Sequence, residues 1–210
     1  MTQRDHPRGA LVVLHGHAGS ASTAGDLARA IDPSGRWHHV LPEGPWLVDV
    51  ESRSWFESPI DHASAGRIVS TLITGLIEDG GFDPREIVVV GWSQGGAAAL
   101  AALAVPGGPS VGSLILCSSF LAEGSIDYDF GALAGAPVLI QHGRVDEVVP
   151  AFFADDLVAS LRAAGVEVTD ERYDIGHERS GEADAAVSCW LDRTQDQIAR
   201  DEITRDEIAG

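Results

Sequence analysis

The chain has 210 residues, with 14 basic side chains against 32 acidic ones and a formal net charge of −18, and every basic residue is Arg. Without a Lys there is no Walker A phosphate loop, no Schiff-base amine, no protein-kinase chemistry and no Ser–Lys hydrolase pair. The negative charge repels nucleic-acid phosphates and anionic membrane surfaces, and no Arg cluster offsets it.

One domain suits this length. The segment Met1–Gly9 is polar and lacks the apolar core of a signal peptide. Ala10–Leu14 is a short apolar run ending in His15-Gly16, which reads as a buried strand. Ser20–Ile31 follows with small and apolar residues at helical spacing. Trp37–Leu41 reads as a second strand, stopped by Pro42. Residues 42–61 hold several Pro and Gly together with Trp46, Trp55 and Phe56. They read as a long surface excursion, a class of loop that is often functional.

His62–Glu78 reads as a helix with Ile68, Leu72, Leu76 and Ile77 on one face and Gly80-Gly81 as its stop. Glu86–Val90 is an apolar strand ending at Gly91, and Gln94–Val105 is an Ala-rich helix broken by Pro106. Val111–Cys117 and Val138–Gln141 are further strands. Phe152–Ala164 is a helix closed by Gly165. Val166–Tyr173 alternates as a strand, and Glu182–Leu191 is a last helix. Six buried strands separated by helices predict an α/β fold, a mainly parallel sheet covered on both faces. The stretch 194–210 is a polar, acidic extension beyond the domain over 1–193. It carries Arg-Asp-Glu-Ile twice, and a five-residue period does not keep Ile198, Ile203 and Ile208 on one helical face. It reads as a frayed extension or, alternatively, as a helix packing on another subunit.

The motif richest in chemistry is Gly91-Trp92-Ser93-Gln94-Gly95-Gly96. It matches G-x-S-x-G in the context the motif needs, an apolar strand before it and a helix after it. Such a turn is tight enough to strain the backbone of the serine and lift its hydroxyl clear at a helix N-terminus. A serine hydroxyl is a poor nucleophile without a base. In this kind of site the chain order is Ser, acid, His. His177, in the loop after the last strand, is the only histidine beyond His142 and is the candidate base. Asp146, in the turn after the strand ending at Gln141, is the candidate acid. Glu147, Asp127 and Asp129 are its rivals. The backbone N–H groups of Gln94 and His17 are the candidate oxyanion donors. His15 and His17 could alternatively be a metal pair, but no third ligand lies nearby.

Four segments together resemble the phospholipase/carboxylesterase family of α/β hydrolases. They are Leu14-His15-Gly16, Trp55-Phe56, Gly91-Trp92-Ser93-Gln94-Gly95-Gly96, and His142-Gly143-Arg144-Val145-Asp146 with Val149-Pro150. The resemblance spans about residues 10–193 and includes acyl-protein thioesterases and bacterial carboxylesterases. It implies a compact α/β-hydrolase fold and a Ser93–Asp146–His177 triad with oxyanion donors at His17 and Gln94. It implies no metal and no organic cofactor. Trp55 and Phe56 match the family's Trp-Phe loop near the substrate side; Trp92 and Val149 join them as candidate pocket residues. The alternative is that the aromatic residues Trp46, Trp55, Phe56, Trp92 and Phe120 are core. Three positions depart from the family. Trp92 stands where Phe is usual, Ser118-Ser119 where Ser-Gly is usual, and His17 where an apolar residue is common.

The resulting expectation is a serine carboxylesterase acting on small or flexible acyl esters, with no cap domain over an open site. Thioesters, lysophospholipids and lactones use the same acyl-transfer chemistry and stay open as substrates. A catalytically silent binding protein on the same fold is the reading from another class. The expected partner is a small-molecule ester, with no nucleic acid. No run approaches the roughly 18 apolar residues of a membrane helix, so stable membrane insertion is not expected. A cytoplasmic monomer or homodimer is. Cys117 and Cys189 lie too far apart in sequence for a disulfide framework or a zinc spacing.

Overall fold

The computed structural model describes residues 9–58, 61–122 and 126–209, with side chains as far as Arg200. The segment read as a polar N-terminus, residues 1–8, lies outside them. The chain order is β1 (Ala10–Leu14), α1 (Ala21–Ile31), β2 (His38–Val40), β3 (Trp46–Leu47), β4 (Arg53–Ser54), α2 (His62–Glu78), β5 (Ile87–Trp92), α3 (Gln94–Leu103), β6 (Ser113–Cys117), β7 (Val138–Gly143), α4 (Phe152–Ala163), β8 (Val168–Tyr173) and α5 (Gly181–Ala209). Six strands pair in parallel in the order β2-β1-β5-β6-β7-β8. This is the α/β-hydrolase type of sheet.

Both faces of the sheet are covered, which is why its central strands read as continuous apolar runs. Strand side chains alternate between faces. Val12, Leu14, Val89 and Leu116 face a core that includes Val69 of α2, Leu100 of α3 and Leu157 of α4. Leu11, Val13, Val90 and Ile115 face the opposite core, with Leu27 of α1 and Val187 of α5. α2 lies so close to α3 that a Cβ on Gly66 would sit 2.4 Å from the Ala101 carbonyl oxygen. α1 opens with a capping box: Ser20 Oγ accepts from the Thr23 N–H, and Thr23 Oγ1 accepts from the Ser20 N–H.

Two elements differ from the sequence expectation. The excursion at 42–61 contains the antiparallel pair β3–β4, with Trp46 opposite Ser54 and Leu47 opposite Arg53. This hairpin is tied to the loop after β1 by the Arg53 N–H donating to the Gly19 carbonyl at 2.7 Å. Strands of two residues are too short to leave an alternation. The last helix also runs far beyond Leu191. Val187, Leu191 and Ile198 recur at helical spacing, and all three are buried in the α1-side core. Asp192 pairs with Arg36, and Gln195 Nε2 donates to the Arg36 carbonyl at 3.3 Å. Among the described residues, no helix is long and apolar enough to cross a membrane.

The parallel register aligns the C-terminal strand ends. Leu14 lies opposite Gly91, Trp92 opposite Cys117, and Gly143 opposite Tyr173. The loops that follow β1, β5, β7 and β8 therefore emerge along one edge, the usual ligand edge of an open α/β sheet.

Candidate active site

Ser93 sits between β5 and α3 with φ 50° and ψ −116°. That left-handed region is strained for any residue with a Cβ. The strain is held by close packing beneath it, because a Cβ on Gly91 would lie 2.3 Å from the Gly96 Cα. The Ser93 N–H donates to the Cys117 carbonyl at 2.8 Å, and Ser119 Oγ donates to the Ser93 carbonyl at 3.1 Å. Ser119, which stands at a usual glycine position, thus braces the turn. Behind the turn, burial pushes the Cys117 thiol up to about 12, so it carries no reactive thiolate at neutral pH.

His177 reaches the turn from the loop after β8. Ser93 Oγ and His177 Nε2 are 3.1 Å apart, and His177 Nδ1 is 2.8 Å from Asp146 Oδ2. The natural tautomer carries a proton on Nδ1, so that Nδ1–H donates to Asp146 and Nε2 accepts from the Ser93 hydroxyl. The His177 loop closes on β7 at a glycine. A Cβ on Gly143 would meet the Gly176 carbonyl oxygen at 2.3 Å. The Trp92 ring lies 5.6 Å from the His177 ring.

Asp146 is buried, and its other oxygen is fully used. Oδ1 accepts the backbone N–H groups of Val148 and Val149, at 2.9 and 2.8 Å. Burial alone would raise the carboxyl. The bonds from Val149, His177 and Val148 outweigh it and hold the group below its ordinary value. The rival acids are elsewhere: Glu147 and Asp127 are exposed, and the Asp129 carboxylate accepts from the Gly131 N–H. His142 lies beneath this turn, with Nε2–H donating to the Val149 carbonyl at 2.7 Å. Burial lowers its pKa, against the opposing pull of the Val149 carbonyl and Asp146.

The loop after β1 forms the other side. Among the described residues, neither the His17 nor the Gln94 backbone N–H donates to an acceptor, which is the condition an oxyanion donor must meet. His15 is buried with both ring nitrogens in use. Nδ1–H donates to the Gly16 carbonyl at 2.7 Å, and Nε2 accepts from the Gly44 N–H at 3.0 Å. Burial lowers its pKa, and the Gly16 carbonyl and Glu43 oppose the shift.

Sequence reasoning missed the part played by the Gln94 side chain. Its Oε1 accepts from the Trp55 N–H and its Nε2 donates to the Phe56 carbonyl, both at 2.8 Å. Trp55 Nε1 in turn donates to the His15 carbonyl at 2.8 Å. One amide therefore joins the serine turn to the segment after β4, and that segment to the end of β1.

A cavity of about 640 Å³ opens beside the turn, within the range of small-molecule pockets. Leu47, Val48, Phe56, Phe120, Leu121 and Phe153 form its apolar walls; His17, Ser54, Glu57, Ser58, His62 and Gln94 add polar groups. Of the four candidate pocket residues, Phe56 lines it. Trp55 does not: it is wholly buried, its indole covered by His15 at 5.2 Å between ring centres. Trp92 lies on the other side of the serine turn, against His177. Val149 is buried under the acid turn, where its backbone serves Asp146 and His142. Phe56, Phe120 and Phe153 form a row with ring centres 6.5 Å apart. Phe120 was among the aromatic residues weighed as core, and Phe153 was not singled out, because it comes from the first turn of α4 and only the fold brings it beside the loop after β6.

A family model described as phospholipase/carboxylesterase matches residues 1–194. The chain belongs to the phospholipase/carboxylesterase family. Its fold is shared with a carboxylesterase from Mesorhizobium loti, at 23% identity and TM-score 0.77 over 88% of each chain. The Bacillus cereus carboxylesterase is similar at 18% identity and TM-score 0.76, over 92% of each chain. Arabidopsis thaliana SOBER1 is similar at 20% identity and TM-score 0.75, over 90% of this chain and 99% of that one. The protein is thus a member of a carboxylesterase-like hydrolase family.

Proposed function

We propose that the protein is a serine carboxylesterase that works through an acyl-enzyme. Ser93 Oγ attacks the ester carbonyl carbon while its proton passes to His177 Nε2. Asp146 holds the imidazole in the required tautomer and stabilises the imidazolium. The carbonyl oxygen becomes an oxyanion held by the backbone N–H groups of His17 and Gln94. The tetrahedral intermediate collapses, the C–O bond to the alcohol breaks, and His177 gives its proton to the departing oxygen. Water then attacks the acyl carbon, losing a proton to His177. The acid is released as Ser93 regains its proton.

The observation that carries this reading is the chain Ser93–His177–Asp146, bonded at 3.1 and 2.8 Å. The aromatic row beside it favours an acyl group with an apolar body. The test is hydrolysis of short p-nitrophenyl esters by the wild type and by Ser93→Ala. The wild type is expected to turn over, and the variant to lose at least about a thousandfold in kcat while keeping the wild-type circular dichroism spectrum. Undiminished hydrolysis by folded Ser93→Ala would refute the proposal.

A further inference from the structure

His17 contributes more than a backbone. Its imidazole lines the cavity and is exposed, at a position where family members commonly carry an apolar residue. Nδ1 is bonded to Ser54 Oγ at 2.5 Å, which anchors the ring to the β4 wall. Nε2 makes no hydrogen bond to any described residue. Two other polar groups of the cavity wall are already committed. The Gln94 amide is held by Trp55 and Phe56, and Ser58 Oγ bonds Asp61 Oδ2 at 3.0 Å. One ring nitrogen without a partner among the described residues therefore faces the cavity beside the reaction centre.

We propose that His17 is a specificity-determining residue whose Nε2 hydrogen-bonds a neutral hydroxyl on the acyl chain of the substrate. This rests on the esterase reading. The amide and the imidazole leave the same α-carbon, so a group that meets Nε2 sits within a few bonds of the carbonyl held by that amide. A hydroxyl suits the site in either tautomer. It accepts if Nε2 carries the proton, and it donates if Nδ1 carries it and bonds Ser54 as a donor. A plain alkyl chain would strip water from Nε2 and return nothing. An acyl carboxylate is disfavoured by Glu57 on the same wall and by the net charge of −18. The preferred substrates are therefore hydroxyacyl esters.

The test compares kcat/KM for p-nitrophenyl 3-hydroxybutyrate, each enantiomer separately, with kcat/KM for p-nitrophenyl butyrate. The two share a leaving group and a chain length, so their ratio isolates the hydroxyl. One enantiomer is expected to exceed butyrate by roughly three- to tenfold, the worth of one net neutral hydrogen bond. The ratio should fall towards one in His17→Leu and be partly kept in His17→Gln, which retains a polar group. Because it is a ratio, any common effect on the oxyanion donors cancels. A wild-type ratio at or below one for both enantiomers overturns the inference. So does a His17→Leu variant that keeps the wild-type ratio. An enzyme silent on all three esters overturns the esterase reading, and this inference with it.

Discussion

Gln94 does two separate things. Its N–H is free for an oxyanion, while its side chain holds the Trp55–Phe56 backbone through two bonds of 2.8 Å. Gln94→Met keeps the bulk and leaves the Trp55 N–H and the Phe56 carbonyl without partners. Buried unpaired groups cost about 1–3 kcal/mol each. The variant should therefore lose about 2–6 kcal/mol of unfolding free energy in urea. It should also lose on the order of tenfold in kcat/KM, since small misplacements of a site are expensive. A variant with wild-type kinetics would show that the side chain positions nothing. That Ser93, Asp146 and His177 would come together was legible, because chain order and the strand–turn–helix context single them out. The amide of Gln94 was not, since its partners lie 39 and 38 residues upstream in the chain, and no spacing rule links them.

Among the elements, those with full periods were legible. The helix His62–Glu78 was readable to its ends, and the central strands were out by a few residues at most. The β3–β4 pair was not readable, because two-residue strands carry no pattern, yet it supplies Leu47 and Ser54 to the cavity wall. The length of α5 was missed for a different reason. The Arg-Asp-Glu-Ile repeat draws attention to Ile198, Ile203 and Ile208 as a set, whereas Ile198 belongs to the face of Val187 and Leu191. The side chains of Ile203 and Ile208 lie outside the described residues. Ile198 is buried, so Ile198→Ala should lower stability by about 2 kcal/mol, the low end for an isoleucine truncated to alanine. Urea denaturation followed by tryptophan fluorescence measures it. A change within about 0.5 kcal/mol, as for a surface site, would mean that this part of α5 does not pack on the domain.

At the scale of the whole molecule, the fold depends on buried neutral imidazoles. His15 and His142 both have pKa values lowered by burial. An unfolded histidine takes up its proton near pH 6.5, and in the folded state these two bind it less readily. Below that pH the unfolded chain holds more protons, so stability is fully present above about pH 6.5 and declines as the pH falls through it. Urea midpoints should drop between about pH 7.5 and about pH 5.5. His142→Gln can still donate to the Val149 carbonyl but cannot titrate, and should flatten the decline. An unchanged slope would remove His142 from this account.

The absence of Lys and the net charge of −18 fit a site whose proposed groups are a hydroxyl, an imidazole, a carboxylate and two backbone amides. None of these requires a cationic side chain. The central claim is that Ser93 is the one nucleophile, activated by His177. The most direct measurement is labelling of the native protein with a fluorophosphonate, followed by peptide mass spectrometry. The account predicts a single adduct on Ser93, strongly diminished in His177→Ala. An adduct on another residue, or an unlabelled Ser93 in an enzyme that still hydrolyses esters, would contradict it.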